Sequence, residues 1–587
     1  MSWEAWVTLA VVAVTILLLV LDITAPGAIV LGAVVVLLVS DVLEPAKAFA
    51  GFGNPAPITV AALYVVAAGI ERTGVLNRLV RAMAGRSVGE RVTLARMVVP
   101  SAAASAFLNN TPVVAMLVPA VTRWSERVRR SASRLLMPLS FAAILGGMVT
   151  VIGTSTNIVV SGLLEEAGFE GFGFFELAKL GLPVALVGLG FIVAAAPVVL
   201  PSRRSSRKDI DDSREYTVEM SVVAGGSVDG LTVEEAGLRH LDGVFLVQVE
   251  RGNQVIGAVG PEFLLQGADT LRFVGNAQEA ADLQERAGLA PAAEAGGGIP
   301  SGRMVFFEAV VGTGSVLVGH SLRDVGFRQR YQAAVLAIHR ADHRVLGKLG
   351  DAEFRVGDTL LVLAAPGFRD RWHGSGDFLM VSRLDGSEPA RSGKVMPAAL
   401  VGLFVVLSAA TGLLPILEAS LLGAFAIVGF GVITPNEARR AVDLNVVVLI
   451  AASFGISAAI TETGLAVTIA NEVFGGLEVL GAPAVLVGVA VATIALTEAV
   501  TNNGAAVLMF PIALAVAVEL GADPRAFAAT IALTASASFL TPIGYQTNTM
   551  VWGPGGYRFG DYARLGFPLT LLTLGVVAVV APMWWTL

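Results

Sequence analysis

Three stretches, "WVTLAVVAVTILLLVLDI" (6–23), "LPVALVGLGFIVAAAPVVL" (182–200) and "FPLTLLTLGVVAVVAPMWW" (567–585), reach or exceed the roughly 18 apolar residues that cross a bilayer. A soluble chain of 587 residues would divide into roughly four domains. With only 15% charged residues and a mean hydropathy of +0.73, this chain reads instead as a polytopic α-helical membrane protein. Its 65 glycines suit close helix packing. The absence of Cys excludes disulfides and thiolate metal sites, and a pI near 5.5 gives no reason to expect nucleic acid. Glu4 precedes the first apolar run and no Lys or Arg does, so that run is expected to be a retained helix rather than a cleaved leader.

Composition shifts at 198–216 and shifts back at 391–404. Between these points the chain reads as soluble α/β, with strands expected at "GVFLVQVE" (243–250) and "TLLVLAA" (359–365) and a helix at 276–289. A linker over 290–302 divides the insert into pieces 201–289 and 303–392. "GADTLRFVG" (267–275) answers "GDTLLVLAA" (357–365), and 221–239 answers 309–328, so the pieces form a tandem repeat at an offset of about 88–90 residues.

The membrane halves, 1–200 and 393–587, repeat as well. "GIERTG" (69–74) returns as "AITETG" (459–464), with Gly74 and Gly464 separated by 390 positions. "GTSTNIVV" (153–160) returns as "GYQTNTMV" (544–551), placing Asn157 and Asn548 391 apart. The pair Asn109–Asn110 returns 392–393 residues later as Asn502–Asn503.

Basic residues in short loops mark the cytoplasmic side. Arg72, Arg78, Arg81, Arg86, Arg91 and Arg96 occupy 71–96; Arg123, Arg127, Arg129, Arg130 and Arg134 occupy 123–134. Both loops belong inside, so the apolar segment between them (97–122) must turn back. It reads as a re-entrant hairpin with Asn109, Asn110 and Thr111 at its tip; the second hairpin spans about 483–519. Five crossings follow in the first half, at about 5–22, 28–43, 57–71, 135–152 and 180–200. Five more follow in the second, at about 396–412, 416–433, 444–460, 525–540 and 567–585. An odd number reverses the second half, giving an inverted-topology repeat with the insert cytoplasmic and both termini outside, in the cell membrane.

Irregular backbone at membrane depth is tolerated where it lines a polar cavity. Besides its hairpin tip, each half carries a second break, "VIGTSTN" (151–157) or "TPIGYQTN" (541–548), where Pro542 and Gly544 stop the helix. Freed amides suit an anion, and freed carbonyls with Asn and Thr oxygens suit Na⁺. Hydroxyls and amides can also simply glue helices together, but four breaks related by duplication argue for a site. All five His lie in the insert, so a His proton relay is absent from the membrane halves. Glu498, beside the second tip, can carry a coupling proton or accept hydrogen bonds. "TPIGYQ" (541–546) faintly echoes a potassium-channel filter, which keeps a regulated channel as a minor alternative. "GTGSVLVG" (312–319) departs from the dinucleotide fingerprint, and no nucleophile–base pair points to an enzyme.

"SAFLNNTPVVAMLVP" (105–119) and "TEAVTNNGAAVLMFP" (497–511) resemble the paired Ser-Asn-Thr hairpin motifs of the divalent anion/sodium symporters in the ion transporter superfamily. "FGNPAPITVAALYVVAAGIERTG" (52–74) resembles the bacterial branch that carries soluble inserts, and the two inserted pieces are similar to tandem TrkA-C domains, a regulatory module. The resemblance implies a homodimer, an elevator mechanism and Na⁺-driven uptake of sulfate or small dicarboxylates, with no organic cofactor. It implies a first sodium site of Ser105, Asn109, Asn110 and Gly153, and a second of Thr497, Val500 (backbone), Asn502 and Gly544. The anion would be held by Asn110, Thr111, Asn502 and Asn503, with Thr154, Ser155, Tyr545 and Gln546. The tips read Asn-Asn-Thr and Thr-Asn-Asn-Gly in place of Ser-Asn-Thr, and Ser155-Thr156 and Gln546-Thr547 replace the Pro-Pro pairs of the dicarboxylate branch. These departures bear on the identity of the substrate; inserts of TrkA-C type accompany proposed sulfate carriers, so the resemblance favours sulfate over succinate- or citrate-like substrates, with a small-molecule regulator of the insert as a further expected partner.

Overall fold

The computed structural model describes residues 1–21, 24–73, 89–127, 130–202, 216–238, 244–252, 254–257, 259–275, 288–291, 305–312, 314–340, 343–345, 351–365, 367–372, 375–383 and 392–587. Gly74 of the repeat, Arg78, Arg81, Arg86 and Arg129 of the basic loops, most of the helix expected at 276–289 and the linker beyond Pro291 lie outside these residues. The chain divides into a unit of Met1–Arg203 with Pro389–Leu587, and a unit of Arg204–Glu388.

The first unit is helical. Its first half contains α1 (Trp3–Val20), α2 (Pro26–Val39), α3 (Pro55–Thr73), α4 (Glu90–Ser105), α5 (Asn110–Arg127), α6 (Leu136–Gly147), α7 (Ser155–Glu166) and α8 (Ala178–Val199). The second contains α9 (Val395–Thr411), α10 (Ile416–Gly429), α11 (Leu444–Glu462), α12 (Ala482–Ala499), α13 (Asn502–Glu519), α14 (Pro524–Ser536), α15 (Gln546–Gly555) and α16 (Phe559–Trp584). Short polar side chains set several starts. Ser2 Oγ accepts the Ala5 amide, Asp443 caps α11, Thr501 caps α13, and Asp523 caps α14 just ahead of Pro524. Left-handed Gly412 ends α9, a backbone conformation glycine adopts without steric cost.

Among the described residues, seven helices are long and apolar enough to cross a bilayer: α1, α3, α8, α11, α12, α13 and α16. The crossing expected at 135–152 is corrected to one short helix followed by a break. α6 has 12 residues, about 18 Å, too short to span, and α7 follows only after a seven-residue break. The crossing expected at 525–540 is likewise shortened to the 13-residue α14, and α15 follows after a nine-residue break. One device closes both breaks. Asn157 Nδ2 donates to Gly147 O (3.0 Å) and Thr150 O (2.8 Å), and Asn548 Nδ2 donates to Ser538 O (2.9 Å) and Thr541 O (3.3 Å). Each amide thus satisfies two carbonyls that the interrupted ladder frees. The first hairpin begins at Glu90 rather than 97 and ends at Arg127 rather than 122, because its helices continue past the apolar run; Glu90 pairs with Arg134 at 3.2 Å. The second hairpin has two 18-residue arms, each about 27 Å long.

Two groups of helices pack within this unit. Helices α1–α3 and α9–α11 share cores such as Val30, Leu37, Leu449 and Ile456, and Val66, Val401 and Ile427. The hairpins, the broken helices, α8 and α16 form the second group, with Phe141 edge-on to Phe539 at 5.0 Å across the two halves.

The inserted unit holds two five-stranded antiparallel sheets. The first contains β1 (Tyr216–Val222), β2 (Val244–Arg251), β3 (Gln254–Gly257), β4 (Thr270–Gly275) and β5 (Leu289–Pro291), in the order β3-β2-β4-β1-β5. The second contains β6 (Val305–Val311), β7 (Ala333–Arg340), β8 (His343–Arg344), β9 (Thr359–Ala364) and β10 (Phe378–Arg383), in the order β10-β6-β9-β7-β8. Read from opposite ends, the orders are the same. A bulge between Leu246 and Gln248 recurs between Val335 and Ala337. Arg251 grips Asp269 through Nε and Nη2 at 2.7 Å each, and Arg340 grips Asp358 the same way at 2.8 Å. Strand β5 takes Ala290 and Pro291, so the linker expected from 290 starts after them, and Leu289 is strand rather than the end of a helix. Arg328 Nη1 donates to Val259 O at 2.9 Å, joining the two modules.

Candidate functional site

Four helices begin at the chain's interruptions: α5 at Asn110, α7 at Ser155, α13 at Asn502 and α15 at Gln546. Each presents first-turn N–H groups without intrahelical partners and the positive end of its dipole. Side chains tie these four starts together across the two halves.

Asn110 is wholly buried; Ser105 Oγ donates to its Oδ1 at 2.6 Å, and its Nδ2 donates to the Tyr545 hydroxyl at 2.6 Å. Thr154 Oγ1 lies 3.2 Å from the same hydroxyl, and Thr111 Oγ1 donates to Gln546 Oε1 at 3.1 Å. The first hairpin is therefore bonded to the second half's break. The reciprocal holds. Ser155 Oγ and Thr156 Oγ1 donate to Asn503 Oδ1 at 3.1 and 3.0 Å, and Asn502 Nδ2 donates to Thr156 Oγ1 at 2.8 Å.

Glycine makes room for the first of these clusters. A Cβ on Gly147 would run into Asn110 Oδ1 and lie 2.9 Å from its Nδ2, and a Cβ on Gly153 would lie 2.5 Å from Gly147 O. Thr150 Oγ1 donates to Ala106 O, fixing the hairpin against the break. In the second half, Thr497 Oγ1 donates to Ala535 O at 2.6 Å, and extended Val500 leaves its carbonyl outside the α12 ladder. Gly544 N donates to Thr541 Oγ1 at 3.0 Å. Glu498 receives the Leu540 amide and the Thr541 hydroxyl, both at 2.8 Å.

The sequence-predicted residues therefore divide into two joined sets, Ser105, Asn110, Thr111, Thr154, Tyr545 and Gln546 in one, and Ser155, Asn502 and Asn503 in the other. Asn109 stands apart: its Oδ1 lies 3.4 Å from the Thr111 amide, and it lines a cavity of about 30 Å³ with Tyr64 and Ser155, roughly room for one water. Tyr545 and Gln546 of "TPIGYQ" spend their polar groups on the first hairpin, and Gln546 stands where a channel filter needs glycine.

Three participants were not expected in the site. Thr156 holds both hairpin asparagines of the second half, and its repetition as Thr547 in the Thr-Asn pairs at 156–157 and 547–548 was the available signal. Ser140 Oγ is 2.9 Å from Thr547 Oγ1 and donates to Asn548 Oδ1 at 2.7 Å; nothing in "MPLSFAAILGG" marks it. Ser538, at the start of the break after α14, is wholly buried. Chemically, the site offers neutral hydroxyl, amide and carbonyl oxygens, which suit a hard monovalent cation, beside helix N-termini that suit an anion. Among the described residues no cluster of three His, Asp or Glu forms a metal site.

The sequence pattern that defines the citrate transporter family matches residues 9–532 and 481–587. A Chlamydomonas reinhardtii protein named for a response to sulfur deprivation is 36% identical over 552 residues, 91% of this chain and 94% of that protein. A transporter of Synechocystis sp. is 33% identical over 99% of this chain and 97% of its own length. A second Chlamydomonas reinhardtii protein, named sodium/sulfate cotransporter 1, is 26% identical over 100% of this chain and 90% of its own.

Proposed function

Since the chain belongs to the citrate transporter family of the ion transporter superfamily, a multi-pass secondary transporter of small anions and not an enzyme, we propose that it is a sodium-coupled sulfate symporter. The observation that carries this reading is the crossed bonding of the two asparagine pairs, Asn110 and Thr111 onto the second half's break, Asn502 and Asn503 onto the first's. The halves are related by inverted topology, and the anion binds where their broken helices meet.

In this reading one Na⁺ is held by Ser105, Asn109, Asn110 and Gly153, and a second by Thr497, Val500, Asn502 and Gly544. Asn110, Thr111, Thr154, Ser155, Asn502, Asn503, Tyr545 and Gln546 hold the anion. Helices α1–α3 and α9–α11 form the fixed scaffold of a homodimer, and the hairpins and broken helices move as an elevator. The insert is a pair of cytoplasmic TrkA-C-like modules that regulate the cycle through a small ligand. Protection from limited proteolysis by a nucleotide or sulfur metabolite supports that role; no protection by any ligand assigns the insert to bracing the dimer.

Sulfate is favoured by Ser155-Thr156 and Gln546-Thr547, which stand where the dicarboxylate branch carries Pro-Pro, and by relatives named for sulfate and sulfur. The family's description as citrate transporters favours a second reading, a sodium- or proton-coupled dicarboxylate carrier. Uptake of radiolabelled sulfate into proteoliposomes under an inward Na⁺ gradient, then with K⁺ alone, then with unlabelled succinate, separates them. Na⁺-dependent sulfate uptake that succinate leaves unchanged supports the symporter. Absent sulfate uptake with Na⁺-driven succinate uptake establishes the dicarboxylate carrier.

A further inference from the structure

We propose that Glu498 is the anionic ligand of a sodium site at the second hairpin, a carboxylate outside the residues that the family resemblance assigns to that site. The inference rests on the sodium coupling proposed above and assigns its second site.

Glu498 sits in the last turn of α12, one residue beyond Thr497. Its carboxylate is half-buried and receives neutral donors, among them the Leu540 amide on Oε1 and the Thr541 hydroxyl on Oε2. Among the described residues no Lys, Arg or His forms a salt bridge with it. A carboxylate at membrane depth without a counter-ion is costly, and a small cation removes that cost.

A Cβ on Gly544 would lie 2.8 Å from Glu498 Oε2, 3.2 Å from Thr541 Oγ1 and in still closer contact with Ser538 Oγ. Three side-chain oxygens therefore gather on one side of Gly544, where a larger residue would displace them, and oxygen ligands of this kind are the ones hard cations take. Ser538 Oγ is wholly buried and has no hydrogen bond of good geometry, although the carboxylate is nearby. A buried hydroxyl in that state is available as a ligand.

The duplicated half sharpens the point. Ala106 stands 392 positions before Glu498, and Gly147 stands 391 before Ser538. Thr150 donates to the carbonyl of Ala106 where Thr541 donates to the carboxylate of Glu498. The same hydroxyl thus holds a neutral backbone oxygen in one half and a full negative charge in the other. The two sodium sites differ in charge: the second is neutral when filled and carries −1 when empty.

Thermal stability of the purified full-length chain, titrated with Na⁺ against K⁺ at constant ionic strength, tests the assignment. The wild type is expected to gain stability with Na⁺. Glu498→Gln is expected to need at least about tenfold more Na⁺ for half of that gain, the loss of one charged ligand. Ser538→Ala is expected to shift the midpoint severalfold in the same direction, and it serves where Glu498→Gln is not monodisperse, because the first half carries glycine at that position. An unchanged midpoint in either folded variant overturns the proposal. So does a Glu498→Gln protein that titrates normally with Na⁺ but loses the pH dependence of uptake, since Glu498 then carries a proton. A wild type without any Na⁺-specific gain removes the coupling reading as well, and that failure is recognised by its presence in the unmodified chain.

Discussion

Tyr545→Phe removes one oxygen from the junction of three elements. The hydroxyl accepts Asn110 Nδ2 at 2.6 Å and lies 3.2 Å from Thr154 Oγ1, on the residue that immediately precedes α15; Tyr545, Asn110 and Thr154 are all buried. Without it, the Asn110 amide keeps Ser105 on its oxygen but loses its partner on nitrogen. A buried donor left unsatisfied costs about 1–3 kcal/mol. If that cost falls on the arrangement that binds ion and anion, apparent affinity drops by a factor of about 5–150. The assay is uptake into proteoliposomes, with half-saturation measured separately for Na⁺ and for the anion, alongside thermal stability of the same preparation. The expected outcome is a rise in both half-saturation values with a nearly unchanged maximal rate. A variant that is less stable yet keeps wild-type half-saturation for both would refute the reasoning, leaving Tyr545 as packing alone.

Gly147→Ala places a methyl against the Asn110 amide and should cost about 1–3 kcal/mol of stability and most of the transport, whereas Gly190→Ala, with open space around its Cβ position, should leave both near wild type in the same uptake and melting assays. In the insert, Arg340→Met leaves Asp358, only 1% exposed, without its cation; a loss of about 2–3 kcal/mol is expected by urea denaturation of the full chain, with a similar loss for Arg251→Met. Burial alone would raise the Glu176 carboxyl, but the Arg525 hydrogen bonds at 2.8 and 2.5 Å, the Gly173 amide and the Arg525 charge hold it below its ordinary value of 4.5. A carboxyl depressed in the folded state contributes stability above its unfolded value and loses it as pH falls through the folded one. Melting temperature should therefore fall on acidification below about pH 4.5, and Glu176→Gln should remove that part of the fall.

The paired hairpins and the breaks were legible because a buried amide in an apolar run is expensive and two copies of the same expense are hard to attribute to chance. The half-length of α6 and α14 was not legible: hydropathy runs through Met148, Val149 and Val151 without a mark, and the stop comes from Asn157 reaching back to Gly147. Hydroxyls hide for a different reason. Ser101, Ser453 and Thr493 donate to the carbonyl four residues earlier in their own helices, whereas Ser140 and Thr156 reach across to the other half. A sequence does not separate these uses. Strand β5 is equally silent, three residues ending in Pro291 at a sheet edge where proline's missing N–H does no harm.

The crossed bonds have a consequence for the order in which the protein is made. Asn110 meets Tyr545, and Thr111 meets Gln546, at a separation of 435 residues. At a translation rate of 5–20 residues per second, the first hairpin waits roughly 20 to 90 s for its partner to be synthesised. During that interval its amide lacks the partner on its nitrogen, and the whole insert is completed before the gap can close. Ribosome pausing late in the message prolongs that exposure, so synonymous codon changes between 393 and 545 bear on the yield of folded carrier without altering one residue of it.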